Sequence, residues 1–267
     1  MKRYRLPRGM RYSTLSEREI FYREEFSLEK VIEWFSRTVD RLIFAVIIGR
    51  HTGIYPEEYE DDASTTILID EYEDLEDVRR QIIEFRPESV YYDRNLYDEK
   101  GMEAGQEVAF DIDPENITCP IHGTLKEKME KHQGLGFCKK EFNMVKEETA
   151  ALYEELEKMF TDVRIVYSGR GFHIHVLDPE AYKLTTKERK RLAEDIKGRG
   201  FHIDEWVTSG SMRLIRLPYS LHGMVSRIVI PLEYRDIERF DPVTDERCIP
   251  QFLRQMRSQQ YTKARYD

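Results

Sequence analysis

Apolar positions along this chain follow two rhythms, a three-to-four-residue recurrence and short unbroken runs, and the two alternate without regular order. Val31, Ile32, Trp34 and Phe35 recur on one helix face and predict a helix that Ser27 caps and that runs to about Thr38. Ahead of it, Ser13 or Ser16 is placed to cap a helix over Glu17–Glu24. Leu42–Ile48 is an unbroken apolar run of strand length, as a strand buried on both faces requires. A polar loop, Arg50–Ser64, leads to a short strand at Thr66–Ile69. A helix follows over Asp74–Phe85 and stops before Pro87; strands are then expected at Ser89–Tyr92 and Glu107–Asp111.

From Asp113 to about Lys140 the rhythm is lost among Pro, Gly, Cys, His and Lys, so this stretch is expected to be an insert organised by something other than an apolar core. Val145, Thr149, Leu152, Leu156 and Met159 then fall on one face of a helix over Phe142–Phe160. Two strands, Val163–Tyr167 and Phe172–Leu177, flank the tight turn Ser168-Gly169-Arg170-Gly171. Thr185 or Thr186 opens a charged helix that Gly198 and Gly200 close. Short β segments over Phe201–Tyr234 and a last helix over Ile249–Met256 complete the reading. Strands and helices mix without strict βαβ alternation, which predicts an α+β, mixed-sheet fold. The simplest organisation is a single domain over residues 1–267 with one embedded insert at 114–141.

Composition narrows the classes. Hydrophobic residues make up 40% of the 267, enough for a folded core, and the net charge of −9 gives no global nucleic-acid signal. Binding needs only a local basic groove, and basic residues do gather at Lys187, Arg189, Lys190 and Arg191, and again at Arg254, Arg257, Lys263 and Arg265. Either run also reads as a solvated helix face. No apolar stretch approaches the roughly 20 residues of a membrane span. Three cysteines cannot close a disulfide framework, so an intracellular, reducing compartment is expected: the cytoplasm near the nucleoid, or a nucleus in a eukaryote.

Three segments carry candidate chemistry. Ala109-Phe110-Asp111-Ile112-Asp113 ends an apolar strand in two acids at i and i+2, which point to the same side of a sheet. Like charges that close are unfavourable unless cations lie between them, so the pair suits Mg²⁺ or Mn²⁺; the alternative is an ordinary polar strand end. Ser168–Val176 places two glycines around Arg170 and then His173 and His175 on one strand face. Small residues allow close approach of backbone to a phosphate, and Arg170 supplies a forked, permanently charged donor. The histidines fit phosphate contact, metal binding or a satisfied core position. Further on, Asp204 is a candidate third acid, and Arg216 and His222 bracket a Pro218-Tyr219-Ser220 turn from which both could reach an anion. Together these are the parts for metal-assisted phosphoryl transfer from a nucleoside triphosphate.

In the order and character of Phe110–Asp113, Ser168–Val176, Asp204–Thr208 and Leu214–Gly223, the chain resembles the catalytic small subunit of archaeo-eukaryotic DNA primase. The run Glu17–Phe26 also resembles that family's N-terminal helix. The resemblance implies a modified RNA-recognition-like sheet and a two-metal centre in which Asp111, Asp113 and Asp204 hold two Mg²⁺ or Mn²⁺ ions. It implies that Ser168, Arg170 and His173 grip the phosphates of the incoming nucleotide, with Arg216 and His222 as a second phosphate-contacting pair. The partners it implies are a single-stranded DNA template, nucleoside triphosphates and a large primase subunit. Many relatives carry two consecutive arginines in the glycine turn where this chain has Arg170 alone, which implies a looser triphosphate grip or one supplied elsewhere. Repair-type primase-polymerases that fill gaps in end joining share the three acids, and a catalytically weak subunit that binds nucleotides or primer ends is the other alternative. A metal-dependent phosphohydrolase would not need the second Arg/His pair.

Within the insert, Cys119-x-x-His122 has zinc-ligand spacing and is followed by Cys138-x-x-Glu141. Glu141, His132 or water would supply the fourth ligand of a structural zinc, although an acid at position 141 also suits a helix start. The family commonly carries a small zinc knuckle here, close to its active site. Free thiols on a polar loop are the alternative.

Overall fold

The computed structural model of the protein describes residues 6–35, 42–130 and 136–255. The expected helix ends at Thr38 and Met256, the candidate ligand His132, and Arg257, Lys263 and Arg265 lie outside these residues. The chain divides into two compact units, each assembled from separated segments: Met10–Tyr92, Arg216–Ile230 and Asp241–Asp267 in one, and Met1–Gly9, Asp93–Ile215 and Pro231–Phe240 in the other.

The first of these units opens on α1 (Leu15–Glu24). Its cap is Thr14, with a reciprocal capping box to Glu17, and neither Ser13 nor Ser16 plays this part. Ser13 is engaged elsewhere: its hydroxyl donates to the Gly223 carbonyl and accepts from Arg18 Nε. Ser27 does cap α2 (Leu28–Phe35), accepting from Lys30 N at 3.3 Å. Val31, Trp34 and Phe35 are buried as the periodicity requires, but Ile32 faces outward. The long apolar run forms the fully buried β1 (Phe44–Ile47), flanked by β2 (Ile67–Ile69) and, beyond α3 (Leu75–Phe85), by β3 (Ser89–Asp93). Both neighbours of β1 pair antiparallel to it. Asp74 caps α3, and Arg86 ends it in the left-handed conformation.

The other unit begins with a hairpin that the sequence reading did not anticipate, β4 (Asn95–Tyr97) and β5 (Glu103–Gln106), whose polar, glycine-containing strands lack apolar alternation. Next come β6 (Val108–Ile112), a short α4 (Leu125–Glu130) inside the expected irregular insert, and α5 (Lys139–Leu156). α5 starts three residues before the predicted Phe142 and ends four before Phe160, leaving Met159 exposed beyond its end. Then follow β7 (Val163–Tyr167), β8 (Phe172–Val176), α6 (Thr186–Gly198, capped by Thr185), α7 (Glu205–Thr208) and β9 (Leu214–Arg216). α7 is a single helical turn in a stretch expected to be wholly β. Thereafter the chain forms β10 (Leu221–His222), β11 (Arg227–Ile228) and β12 (Ile230–Leu232), and residues 251–255 are helical.

Two four-stranded sheets result, in the orders β2-β1-β3-β9 and β12-β7-β8-β6. The second sheet positions the chemistry. Its β6 and β7 both pair antiparallel to the central β8, with Asp111 opposite His173. Val108, Phe110 and Ile112 alternate onto one face with Phe172 of β8, where Phe142 of α5 packs against Phe172 at 5.5 Å between ring centroids. Asp111 and His173 therefore take the opposite face. No helix among the described residues is long and apolar enough to cross a membrane.

The unit carrying α1 encloses a charged knot. The Glu88 carboxylate is fully buried and accepts from the backbone N–H groups of His51 and Thr52 and from the Thr52 hydroxyl, at 2.7–3.0 Å, with His51 Nδ1 at 2.6 Å. Arg18, also fully buried, donates to the Thr52 hydroxyl and to the carbonyls of Ile48, Ile54 and Arg86. Burial alone would raise the pKa of Glu88, yet the bonds from His51 and Thr52 hold it below the usual carboxylate value. A depressed folded-state pKa stabilises the fold above the unfolded pKa of about 4.3, and that contribution is lost as pH falls through the folded value. Glu88→Gln, which turns an acceptor into a donor facing two N–H groups, should cost about 2–4 kcal/mol in urea unfolding at neutral pH. The gap from wild type should narrow below about pH 4. A neutral-pH loss under about 1 kcal/mol would show that this knot is not a stabilising element.

Candidate active site

The acid-bearing face is built from three local decisions. β6 is an edge strand of its sheet, so its outer carbonyls need donors, and the Asp111 carbonyl takes the backbone N–H of Asp204 at 3.0 Å. This one bond brings Asp204 from a remote part of the sequence to the acid pair. Asp204 also caps α7, its Oδ1 accepting from Trp206 N at 2.9 Å. At the end of β6, Pro114 stops the strand, and the chain turns through an Asn116 N–H bond to the Asp113 carbonyl. The turn presents Glu115 to the same site.

Opposite lies the glycine turn between β7 and β8. Gly169 takes φ of 111°, a conformation that penalises any side chain, and the Gly171 carbonyl accepts from Ser168 N at 3.0 Å. Gly171 has a second role: a Cβ there would lie 2.3 Å from the Ile112 carbonyl oxygen and 2.9 Å from Asp113 Cα. The turn thus rests directly on the backbone that carries the acids. Ser168 Oγ accepts from Gly171 N at 3.3 Å, and Ser168 is buried. Arg170 is buried as well, with Nη1 at 2.5 Å from Glu115 and Nη2 at 3.4 Å from Asp113. Its Nε and Nη2 are shielded from solvent and make no hydrogen bond among the described residues.

Electrostatically the cluster is under strain. Burial first, and then the neighbouring carboxylates of Asp113, Asp204 and Glu115, push the pKa of Asp111 well above its ordinary value, with Arg170 opposing them. Although burial lowers the pKa of Arg170, the carboxylates of Asp113, Glu115 and Asp111 keep it raised. Asp111 Oδ1 is buried with no hydrogen bond, 3.6 Å from His173 Nε2. A buried carboxylate oxygen lacking a donor, surrounded by further carboxylates, fits a hard divalent cation such as Mg²⁺ or Mn²⁺. His175, which shares the strand face with His173, points its Nδ1 at the fully buried Glu107 Oε1 at 2.7 Å. It is a buried histidine paired with a carboxylate.

Arg216 and His222 belong to the other unit. Arg216 donates to Ser89 Oγ and Tyr91 Oη at 2.7 and 3.1 Å and stacks its guanidinium 4.9 Å from the Tyr91 ring centre. His222 is buried opposite Arg227 in the β10–β11 pair.

The insert gathers a second, chemically different cluster. Ligand atoms of Cys119, His122, Cys138 and Glu141 all lie within 4.8 Å of one another. Cys119 Sγ is 3.8 Å from Cys138 Sγ and 3.4 Å from His122 Nδ1. A tetrahedral ion with metal–sulfur bonds of about 2.3 Å has sulfur–sulfur edges of about 3.8 Å, so the spacing fits zinc. Glu141 makes the capping box that an acid at this position suits, and it stands among the candidate ligand atoms. Its Oε2 accepts from Cys138 N at 2.8 Å in a capping box for α5 and lies 3.8 Å from His122 Nδ1, while Lys128 Nζ donates to Oε1 at 2.7 Å.

An Archaeoglobus fulgidus protein described as an uncharacterized DNA primase small subunit-like protein is 49% identical over 268 residues, covering 94% of each chain. The chain belongs to the DNA primase small subunit-like family. The DNA primase small subunit PriS of Pyrobaculum arsenaticum is 31% identical, over 63% of this chain and 67% of that protein. Comparison with protein-family profiles finds no match. Among solved structures, the polymerase domain of Mycobacterium tuberculosis ligase D, in complex with DNA, superposes with a TM-score of 0.54 over 97% of this chain and 96% of that one at 11% identity. The mixed α+β fold of this primase-like chain is therefore that of a primase-polymerase domain.

Sequence reasoning missed two members of the acid face in this family member. Glu115 extends the pattern Asp111-x-Asp113-x-Glu115, a visible signal that the intervening Pro114 obscured. Glu107 was read only as the start of a strand, and nothing in the sequence pairs it with His175. The close packing at Gly171 yields a test. Gly171→Ala forces the turn off Ile112 and Asp113 and should lower stability by about 1–3 kcal/mol. It should also weaken Mn²⁺ binding measured calorimetrically; unchanged Mn²⁺ affinity would mean that the turn does not hold the acid strand in place.

Proposed function

We propose that this chain is a template-dependent nucleotidyltransferase, a DNA primase catalytic subunit that makes short primers on single-stranded DNA from nucleoside triphosphates. The observation that carries the reading is the buried Asp111, one carboxylate oxygen without a hydrogen bond among the described residues, beside Asp113, Asp204 and Glu115, with Arg170 set against them. Two divalent ions bound there would lower the pKa of an attacking 3′-hydroxyl and neutralise the pyrophosphate leaving group. Asp111, Asp113 and Asp204 would hold those ions.

Arg170 is anchored by Glu115, so its position does not depend on nucleotide, and its Nε and Nη2 are donors that phosphate oxygens would take. Ser168 and His173 stand beside it for the same phosphates. Arg216, flattened over Tyr91 and bonded to Ser89, is preorganised as a second phosphate contact together with His222. Residues 114–141 are a zinc-knuckle-like insert within one catalytic chain, held by Cys119, His122, Cys138 and Glu141. Exposed Ile20 and Ile32 on the first two helices support the remaining part of the reading, a large primase subunit as partner.

Templated incorporation of labelled nucleotide, with Mn²⁺ and a single-stranded template, is the decisive measurement. Asp111→Ala or Asp113→Ala should lower it by at least about 100-fold while the circular dichroism spectrum is kept. A double variant that still extends chains would refute the assignment. Running the assay with and without primer separates primer synthesis from gap filling. For the insert, the purified protein should carry a single zinc by atomic absorption, and Cys138→Ser should remove it and lower the melting temperature. Metal-free protein with an unchanged melting temperature after chelation would exclude a structural zinc.

A further inference from the structure

Trp206 is one of only two tryptophans, and 70% of it is exposed, whereas Trp34 is buried. Its backbone is nonetheless fixed on both sides. Its N–H donates to Asp204 Oδ1 at 2.9 Å, and its carbonyl accepts from Met212 N at 2.9 Å. Val207 and Thr208, which follow it in α7, are buried and hold the turn down. A large flat ring is thus held out into solvent by the same backbone that delivers Asp204 to the acid cluster. Burying a tryptophan is strongly favourable, so a rigid backbone that keeps one exposed reserves that surface for a ligand.

The surroundings indicate which kind. An apolar protein interface would call for further apolar neighbours and few charges at its centre. Next to Trp206 in the chain stands Glu205, and Met212, whose N–H bonds the Trp206 carbonyl, is half exposed. Lys197 Nζ bonds Glu205 Oε2 at 2.8 Å, and Lys190 acts electrostatically on the same carboxylate. Both lysines lie on the exposed side of α6, Lys190 within the basic run Lys187–Arg191 and Lys197 further along the same helix. An exposed aromatic face beside exposed ammonium groups is the combination that binds single-stranded nucleic acid, with stacking on the bases and ion pairing to the phosphates.

We propose that Trp206 is a stacking platform for a nucleobase of the single strand, with Lys190 and Lys197 holding the adjoining phosphates. The proposal rests on the nucleotidyltransferase reading for its choice of ligand, but its test does not depend on turnover.

In a Trp34→Phe background, Trp206 is the sole indole and reports directly by its emission. Titration with oligothymidylate, in buffer without divalent metal, should quench that emission. Anisotropy of a labelled oligothymidylate should show roughly 5- to 150-fold weaker binding to Trp206→Ala, with most of the affinity kept in Trp206→Phe. Lys190→Ala with Lys197→Ala should make the salt dependence of log affinity shallower by about 1.4. Unchanged oligonucleotide affinity in Trp206→Ala, or binding without quenching, overturns the platform and leaves the enzymatic reading in place. Quenching by a free nucleoside triphosphate but not by oligothymidylate also overturns it, assigning the ring to the incoming nucleotide. No oligonucleotide binding by the parent protein overturns it as well and leaves the ring to a protein partner. Quenching and binding that persist while templated incorporation fails would remove the enzymatic reading and not the platform.

Discussion

Carboxylates repel one another most where water is scarce, and at the end of β6 Asp111 stands with one oxygen shielded from solvent beside Asp113, Asp204 and Glu115. Two unit charges 4 Å apart interact by about 4 kcal/mol at the effective dielectric of a partly buried site, so such a cluster cannot assemble on its own merits. Much of the unit around β6 can be understood as what keeps the acids together. Arg170 supplies one opposing charge from the facing turn, and Asp111 retains its proton more readily than an ordinary carboxyl. The remaining imbalance is of the sign that a divalent cation would offset, which is the chemistry proposed for the site.

Holding the acids in register requires rigid contacts, and these are made by backbone more than by side chains. The Asp111 carbonyl, on the open edge of the sheet, captures Asp204 N, so the third acid is positioned by a main-chain bond that no side-chain substitution at that point removes. Gly171 permits the phosphate-type turn to touch Ile112 and Asp113, and any Cβ at position 171 would collide with backbone, which cannot move as a flexible side chain can. Preorganisation of this type lowers the reorganisation that a charged transition state demands of its surroundings.

What the sequence made legible follows the same division. β1, β7, β8 and α3 were readable because burial imposes an apolar pattern or a cap on each, and Asp111, Asp113, Arg170 and His173 were readable because their residue types are costly away from a charged partner. The β4–β5 hairpin was not readable: Glu103-Ala104-Gly105-Gln106 has no apolar alternation, and Gly105 is set by a Tyr182 carbonyl that would lie 2.7 Å from a Cβ. α7 was hidden because four residues are too few to show a period. Its start depends on Asp204, whose capping role and candidate ligand role use the same side chain. The core pairing of His175 with Glu107 could not be separated from a metal site by spacing alone, since both arrangements place histidines two apart on a strand.

The insert shows how a region without an apolar core can still be tied to that machinery. Lys128 is among the residues least tolerant of burial, yet it is buried with its ammonium 2.7 Å from Glu141 and 3.0 Å from the Pro114 carbonyl. Were two thiolates and the carboxylate to hold a Zn²⁺, the ammonium of Lys128 would leave a net charge of −2 for the ion to neutralise, and Lys128 would be the counter-ion of Glu141. The same ammonium reaches Pro114, the residue directly after Asp113. Glu141 at once caps α5, faces His122 and holds Lys128, and Lys128 in turn braces the turn that ends the acid strand. Order in the knuckle is thereby transmitted through two side chains to the backbone of Asp113, which gives a loop rich in charge and poor in apolar contacts a structural reason to stand beside the acids.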